Sequence, residues 1–594
     1  MAPLTPDRVM EGRPFAARDS RLFKLPLEIL SFIVRYFDGD KQSLASLALV
    51  NSDCRQLARS CQFQTIVFDS SPSSTHLLGI LIYEAAERSR SPNRLTDRLS
   101  LGACIRCVKT NASYYKDQIR SLRMRDRLRG EADSEVDEFE AEADRIEAEK
   151  WRKKARDMSV CRTGAYEPGL AFVISTLPHL DTVEWVAGTM IDTPLLNCLA
   201  SSKARHLRLD GQIDSDSVAL STKSWPLESL IINIEWEWGV FMERQSLDSS
   251  SLWRSLIQAC SSTLKRLNID HSRNSEPKFE SNKDKPIQFT AEFPRLKTLQ
   301  IVSETALCPS SLRSVLQSKQ LSTILIPMCY STSMKCLDEL GHNEALQTLV
   351  LTGYSLPPKV PLRVFQDNPQ LTAVGVCYGA PPAILEPLIS ALGALSNLKV
   401  LSLEWDGTRI PKSSLNALSS LKSLEQLHIT SGNQVGWKHD WFVDHDSIRS
   451  NLSPLQELKK LALTRDTYRV DNDELAEGYY SFRTPTAHDW ETLRDLLRST
   501  FPQTPEFVWE LSHLLRMKEQ ADKYATTFTK LELIYLGQLC FPIAIAADCS
   551  DRKREALVPS HSRNPDFSVM KELFGMENDD SHEAFRAVPP MIID

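Results

Sequence analysis

Two hydrophobic rhythms run along this chain, one short and local, the other long and periodic. The first is the segment KLPLEILSFIVRYF, residues 24–37, apolar at Leu27, Ile29, Leu30, Phe32, Ile33, Val34, Tyr36 and Phe37 and polar only at Glu28, Ser31 and Arg35 after its start. A proline at its head suits the first turn of a helix, where its missing N–H has no partner to lose. A surface helix keeps one apolar stripe and one polar face. Here apolar residues take too much of the circumference, so a second surface is expected to cover them. Leu44, Leu47 and Val50, then Leu57 and Ala58, mark two more short helices before residue 63.

The second rhythm is L-x-x-L-x-L, with other apolar residues allowed in its three slots. It starts at Leu180, Ala204, Leu227, Leu264, Leu296, Leu321, Leu346, Leu371, Leu398, Leu424, Leu458 and Phe528. From Leu296 to Leu371 the steps are 25, 25 and 25 residues. A fixed period of this size predicts a solenoid, in which each unit stays open until a neighbour stacks on it. Slots four and six point inward from a short parallel strand, and slot one anchors the turn before it. Helices are expected between strands, at 251–261, 309–318 and 383–395.

The array resembles a leucine-rich-repeat domain, though an irregular one. That family continues its pattern with two further residues and then Asn or Cys. Here only Cys329 fits, and the equivalent places hold Ser272, Glu304, Tyr354, Gly379 and Asp406. In such arrays the residues beside the inward leucines project from a concave face. Tyr330, Tyr354, Tyr378 and Trp405, just past the strands, are expected on its rim as target-binding residues, with His428 on the face itself; Trp236 and Trp238 recur in the same way. Half-exposed aromatics are favoured at interfaces; equally, they could cover the loops where the Asn ladder is missing.

Residues 22–63 resemble an F-box. The family's Leu-Pro-x-Glu opening is matched by Leu25, Pro26 and Glu28, its apolar first helix by Ile29, Leu30, Ile33 and Phe37, and its L-x-x-L-x-x-V stretch by Leu44, Leu47 and Val50. A tryptophan that often follows that valine is replaced by Cys54. The resemblance implies that these ten residues bind the Skp-type adaptor of a cullin ubiquitin ligase and answers what covers the extra apolar face. It further implies a substrate-recognition subunit of an SCF-type ligase, of a type common in fungi, that holds a protein target and supplies no catalytic residue. The alternative is a non-degradative F-box scaffold. The fold class expected is α/β: an all-helical F-box, then an irregular repeat solenoid with a parallel sheet. The organisation expected is a flexible leader (1–21), F-box (22–66), linker with a divergent first repeat (67–128), charged helical or disordered insertion (129–158), solenoid (159–547) and loosely ordered tail (548–594).

Composition narrows the function. At 594 residues the chain exceeds one compact core. A net charge of -7, from 70 basic and 77 acidic residues, argues against non-specific nucleic-acid binding. Thirteen scattered cysteines without a secretory signal read as reduced thiols of the cytoplasm or nucleus. The apolar run LCFPIAIAA, 539–547, is too short to span a membrane, so no membrane partner is expected. No cofactor fingerprint is present. Cys104 and Cys107 have C-x-x-C spacing but no second pair, and read as part of a strand. KHDWFVDHD offers His439, Asp440, Asp444, His445 and Asp446 in what reads as an exposed polar loop. Cys549 and Asp551 form the Cys-x-Asp of bacterial repeat-containing ligases, without room for the supporting domain. No metal or catalytic site is therefore expected.

Overall fold

A computed structural model describes residues 6–17, 20–90, 99–111, 166–213, 220, 224–233, 250–270, 287–301, 307–327, 331–352, 359–463, 485–497, 504–545 and 554–557, apart from isolated positions. The charged segment 129–158 and nearly all of the tail lie outside these. Contacts divide the chain into two compact units, Met1–Leu296 with Thr305–Ser311, and Lys297–Glu304 with Leu312–Asp594.

The first unit begins with helices at Leu27–Tyr36, Lys41–Ala48 and Ser52–Gln62. Their starts are written in the sequence. Pro26 precedes the first, the Asp40 carboxylate accepts from the Gln42 and Ser43 N–H groups (3.1 and 3.0 Å), and the Asn51 side chain accepts from the Cys54 N–H (2.8 Å). Of the residues ahead of them, expected as a flexible leader, several of the described ones are packed. Val9 and Met10 are buried, Phe15 stacks on Phe23 at 4.5 Å, and the Ala17 N–H donates to the buried Asp53 carboxylate at 2.9 Å. Two large apolar side chains gain more by docking there than a free leader gains in entropy.

Six parallel strands follow, paired in chain order: β1 (Thr65–Phe68), β2 (Cys107–Asn111), β3 (Thr182–Ile191), β4 (His206–Ile213), β5 (Ser229–Asn233) and β6 (Arg266–Asp270). The sheet thus begins at residue 65, ahead of the bound of 159 expected for the solenoid, and β2 lies within the span expected to hold a divergent first repeat. The Arg106 and Cys107 N–H groups both reach the Gln64 carbonyl at 2.9 Å, the same fork that joins later turns. Cys104 closes a short 3-10 turn and Cys107 opens β2, so the expected strand is there but begins at the second cysteine.

The second unit continues the rhythm with β7 (Thr298–Ile301), β8 (Thr323–Pro327), β9 (Thr348–Thr352), β10 (Ala373–Ala380), β11 (Val400–Trp405), β12 (Gln426–Ser431), β15 (Lys460–Leu463) and β16 (Leu533–Leu536), all parallel; β13 (Gln434–Val435) and β14 (Lys438–His439) form a separate hairpin. The slot-four column Leu299, Ile324, Leu349, Val374, Leu401, Leu427 pairs in register, and every member is buried. Helices pack in sequence beneath it, among them Pro382–Leu392 with Leu385, Leu388, Ile389 and Leu392 buried, and Lys412–Leu418 with Leu415 and Leu418 buried. The first offers an i, i+3, i+4, i+7 stripe to the core and the second an i, i+3 pair.

Three expectations change. The twelfth repeat is out of frame at Phe528: Lys460 pairs with Leu533 and Leu461 with Ile534, so the pattern is LELIYL from Leu531. Phe528 instead fills a further slot three residues earlier, the place of Leu395, Leu421 and Leu455 in the preceding turns, whose carbonyls accept from the slot-one N–H at 3.1–3.2 Å by the same bond, 3.1 Å for Leu531 onto Phe528. The long gap before it holds helices Ala487–Leu497 and Pro505–Thr527. Last, the sheet does not stay parallel: β17 (Leu539–Ile545) and β18 (Arg554–Ala556) turn back antiparallel, so the apolar run read as too short for a membrane is a strand, and Arg554–Ala556 of the expected loose tail is paired.

Candidate functional site

The Leu27–Tyr36 helix has two apolar faces with different fates. Leu30 and Val34, four residues apart, pack with Phe23, Cys54 and Leu57. Ile29, Phe32 and Tyr36 follow the spacing i, i+3, i+7 on another face and are 44%, 67% and 89% exposed. Leu25 ahead of the helix is exposed too, and Leu49 and Val50 at the close of the next helix are 81% and 66% exposed. Of the expected adaptor residues, Leu25, Pro26, Glu28, Ile29 and Val50 are exposed, and Ile33, Phe37 and Leu47 are half-buried. Leu30 and Leu44 are buried in the helical core, because a three-helix segment this small must use its most central leucines to fold. They support the face rather than form it. Phe32, Tyr36 and Leu49 were not among the expected contacts, yet their spacing beside Ile29 and Val50 was readable.

The helices are fastened to the start of the sheet. The Gln56 amide donates to the Val9 and Ser100 carbonyls at 3.1 and 2.9 Å, and the Glu84 carboxylate accepts from the Leu101 and Gly102 N–H groups at 2.8 and 2.9 Å. Cys54 occupies a core position, and burial, followed by the Asp53 charge, raises its thiol pKa.

The expected target-binding rim is only partly visible. Tyr330 and Tyr354 lie outside the described residues, as does the side chain of Tyr378. Trp405 is fully buried. Strand alternation explains this: Leu401, Leu403 and Trp405 share one face of β11, and that face is the core. Beside it β10 carries extra residues between Val376 and Ala380, and a side chain at Gly379 would approach the Asp406 backbone at 3.2 Å. His428 is half-buried on the opposite face of β12, its Nδ1 2.7 Å from the Ser402 hydroxyl. Gln300, Ser402 and Thr430, which stand beside the inward-pointing positions of their strands, are buried as well, the neighbouring strands lying only about 4.8 Å away.

The remaining chemical candidates resolve into structure. No cluster of metal-ligating side chains occurs among the described residues. Burial pushes the Cys104 thiol up to about 12 and Cys107 up to about 11, the reverse of what a ligand or nucleophile needs. His445 is not in an exposed loop: it opens the helix His445–Leu452 behind an Asp444 cap, lies edge-on to Tyr524 at 5.9 Å, and burial lowers its pKa to about 4. Trp441 is likewise buried, whereas Asp440 and the side chain of His439 lie outside the described residues, as do Cys549 and Asp551.

One feature escaped the leucine pattern because it occupies the second slot. Arg106, Asp181, Arg205, Glu228 and Lys265 stand on successive turns of the first unit and alternate in sign. Asp181 meets Arg106 at 3.5 Å and Arg205 at 3.0 Å; Glu228 meets Arg205 at 3.1 Å and Lys265 at 2.7 Å. In the second unit Glu425 bridges Lys399 (2.9 Å) and Lys459 (2.7 Å), which hold its carboxyl down to about 2.

No family model matches the sequence, and no curated protein matches it either. Among solved structures the chain is similar to an internalin from Listeria monocytogenes, at 16% identity over 51% of this chain and 78% of that one, TM-score 0.26. It is also similar to a chain of a TLR13–ssRNA13 complex (14%, 51% and 55%, TM-score 0.22) and of the mouse RP105/MD-1 complex (15%, 51% and 57%, TM-score 0.24), and spans little more than half of those two. The solenoid is read from this chain's own register and turns. Among the described residues no helix is long and apolar enough to cross a membrane.

Proposed function

We propose that this chain is the substrate-recognition subunit of an SCF-type cullin ubiquitin ligase, its N-terminal helices docking a Skp-type adaptor and its repeats binding a protein target. The observation that carries this reading is the helix face at Ile29, Phe32 and Tyr36, left exposed after the helical core is complete, with Leu49 and Val50 exposed at the end of the next helix. Large apolar groups grouped on one helix face mark a protein-binding surface. Leu25, Pro26 and Glu28 give that face the opening expected of an F-box. Catalysis then belongs to the partners, and the chain contributes proximity, raising the effective concentration of target lysines. Reduced cysteines suit work in the cytoplasm or nucleus.

The test is copurification of the full chain with a Skp-type adaptor and cullin, against Leu25→Ala/Pro26→Ala. Loss of both partners with the repeats still folded is the expected result, and undiminished capture would overturn the assignment. Target half-life after deletion of the gene separates a degradative subunit, for which the target persists longer, from a scaffold, for which it does not change.

A further inference from the structure

Beside the charge ladder of the first unit lies an open recess of about 270 Å3. Its charged walls are Arg8, Arg106, Asp181, Lys203 and Arg205, joined by His179. The ladder accounts for two of the cations, since Asp181 pairs with both Arg106 and Arg205. It does not account for Arg8 or Lys203. Both side chains are exposed, and neither has a carboxylate partner among the described residues. Arg106 and Arg205 are balanced by Asp181 and Glu228, and Arg8 and Lys203 are left as the two cations of the recess without such a partner among the described residues, in a chain whose net charge is -7.

Arg106 and Arg205 are held in place, and so is the backbone that carries Arg8. His179 Nε2 lies 3.0 Å from the Arg8 carbonyl oxygen, so that nitrogen carries a proton and donates, tying the Pro6–Val9 helix to the turn before β3. Burial lowers the His179 pKa, and the positive charges of Arg8 and Lys203 push it the same way. Arg106 is itself buried, and Arg205 is anchored on both sides by Asp181 and Glu228. Fixed guanidinium groups beside a mobile ammonium suit a ligand with several closely spaced phosphoryl oxygens, which arginine binds in bidentate fashion and lysine as a point charge.

We propose that this recess is a binding site for a small phosphorylated polyanion, with Arg8 and Lys203 as its free cations and Arg106 and Arg205 as its fixed wall. The site stands apart from the adaptor face and does not depend on that reading. Isothermal titration of the purified full chain with sodium tripolyphosphate in 150 mM salt tests it, with sulfate at equal ionic strength as the comparison. Saturable single-site binding is expected, at least tenfold weaker in Lys203→Ala and in Arg8→Glu and lost in the double variant, while Arg363→Glu in the other unit leaves it unchanged. Because Arg8 and Lys203 are exposed, the unliganded variants should melt with the parent protein. Absence of saturable binding overturns the proposal, as does equal binding of sulfate or equal affinity in the variants. Binding of a phosphoserine peptide with no binding of tripolyphosphate overturns it too, in favour of a phosphorylated protein ligand.

Discussion

The two faces of the Leu27–Tyr36 helix should separate folding from binding within ten residues. Phe32 is 67% exposed, and full burial of a phenylalanine stabilises by about 1.5–3 kcal/mol, so about two-thirds of that, or about 1–2 kcal/mol, is still to be gained on docking. Phe32→Ala should therefore weaken adaptor binding about 5- to 30-fold, since about 1.4 kcal/mol is a factor of ten. Its effect on stability should be within about 0.5 kcal/mol, as for surface positions generally. Leu30, fully buried against Phe23, Val34, Cys54 and Leu57, should behave in the opposite way. Leu30→Ala should cost about 2–5 kcal/mol of helical-segment stability, and reduce binding only as far as it unfolds the face. Denaturant melts of the full chain, followed by a probe in the N-terminal helices, give the first quantity, and titration against purified adaptor gives the second. Equal adaptor affinity for Phe32→Ala, Ile29→Ala and the parent would refute the reasoning. So would a large loss of stability on removing Phe32.

Trp405→Ala should destabilise the second unit by about 3–5 kcal/mol, because the indole is core, and should affect target capture only through unfolding; a denaturant melt matching the parent would contradict this. Leu349→Ala, between Ile324 and Val374 in the buried column, should cost about 2–5 kcal/mol, and hydrogen exchange should show the loss concentrated in β8–β10. His445 is held neutral, with a folded pKa of about 4 against an ordinary 6.5, so the unfolded chain binds the extra proton first. The stability it contributes is present above about pH 6.5 and lost as pH falls toward 4, and His445→Gln should flatten that part of the melting-temperature profile.

The leucine columns were legible because one alternation rule and one period fix them together: a slip of a single residue would turn Leu349 and Leu351 to the wrong face. That rule also held the correct answer for Trp405, which sits at even spacing from Leu401 and Leu403, although its place just past the strand suggested a rim. The frame of the last repeat misled because Phe528, Leu531 and Leu533 satisfy the same template as Leu531, Ile534 and Leu536. Only strand pairing decides between them. The first turns, 65–111, were hidden by weak leucine content: β1 reads TIVF and β2 reads CVKTN. The exposed helix face was visible as an excess of apolar residues, but which of them the small core would consume depends on packing that no linear pattern carries. The basic recess draws on Arg8 and Lys203, far apart in the chain, and so had no local signature.

The alternation of charge along Arg106, Asp181, Arg205, Glu228 and Lys265 gives the first unit a parity. Repeat arrays lengthen by copying their own turns. Copying a single turn here would set two like charges side by side at the entries to neighbouring strands, which lie about 4.8 Å apart, and directly opposed like charges are destabilising. Copying two consecutive turns would restore the order. Growth of this array is therefore easier in even steps than in odd ones, and a graft of foreign turns into it must match sign at both junctions as well as leucine spacing.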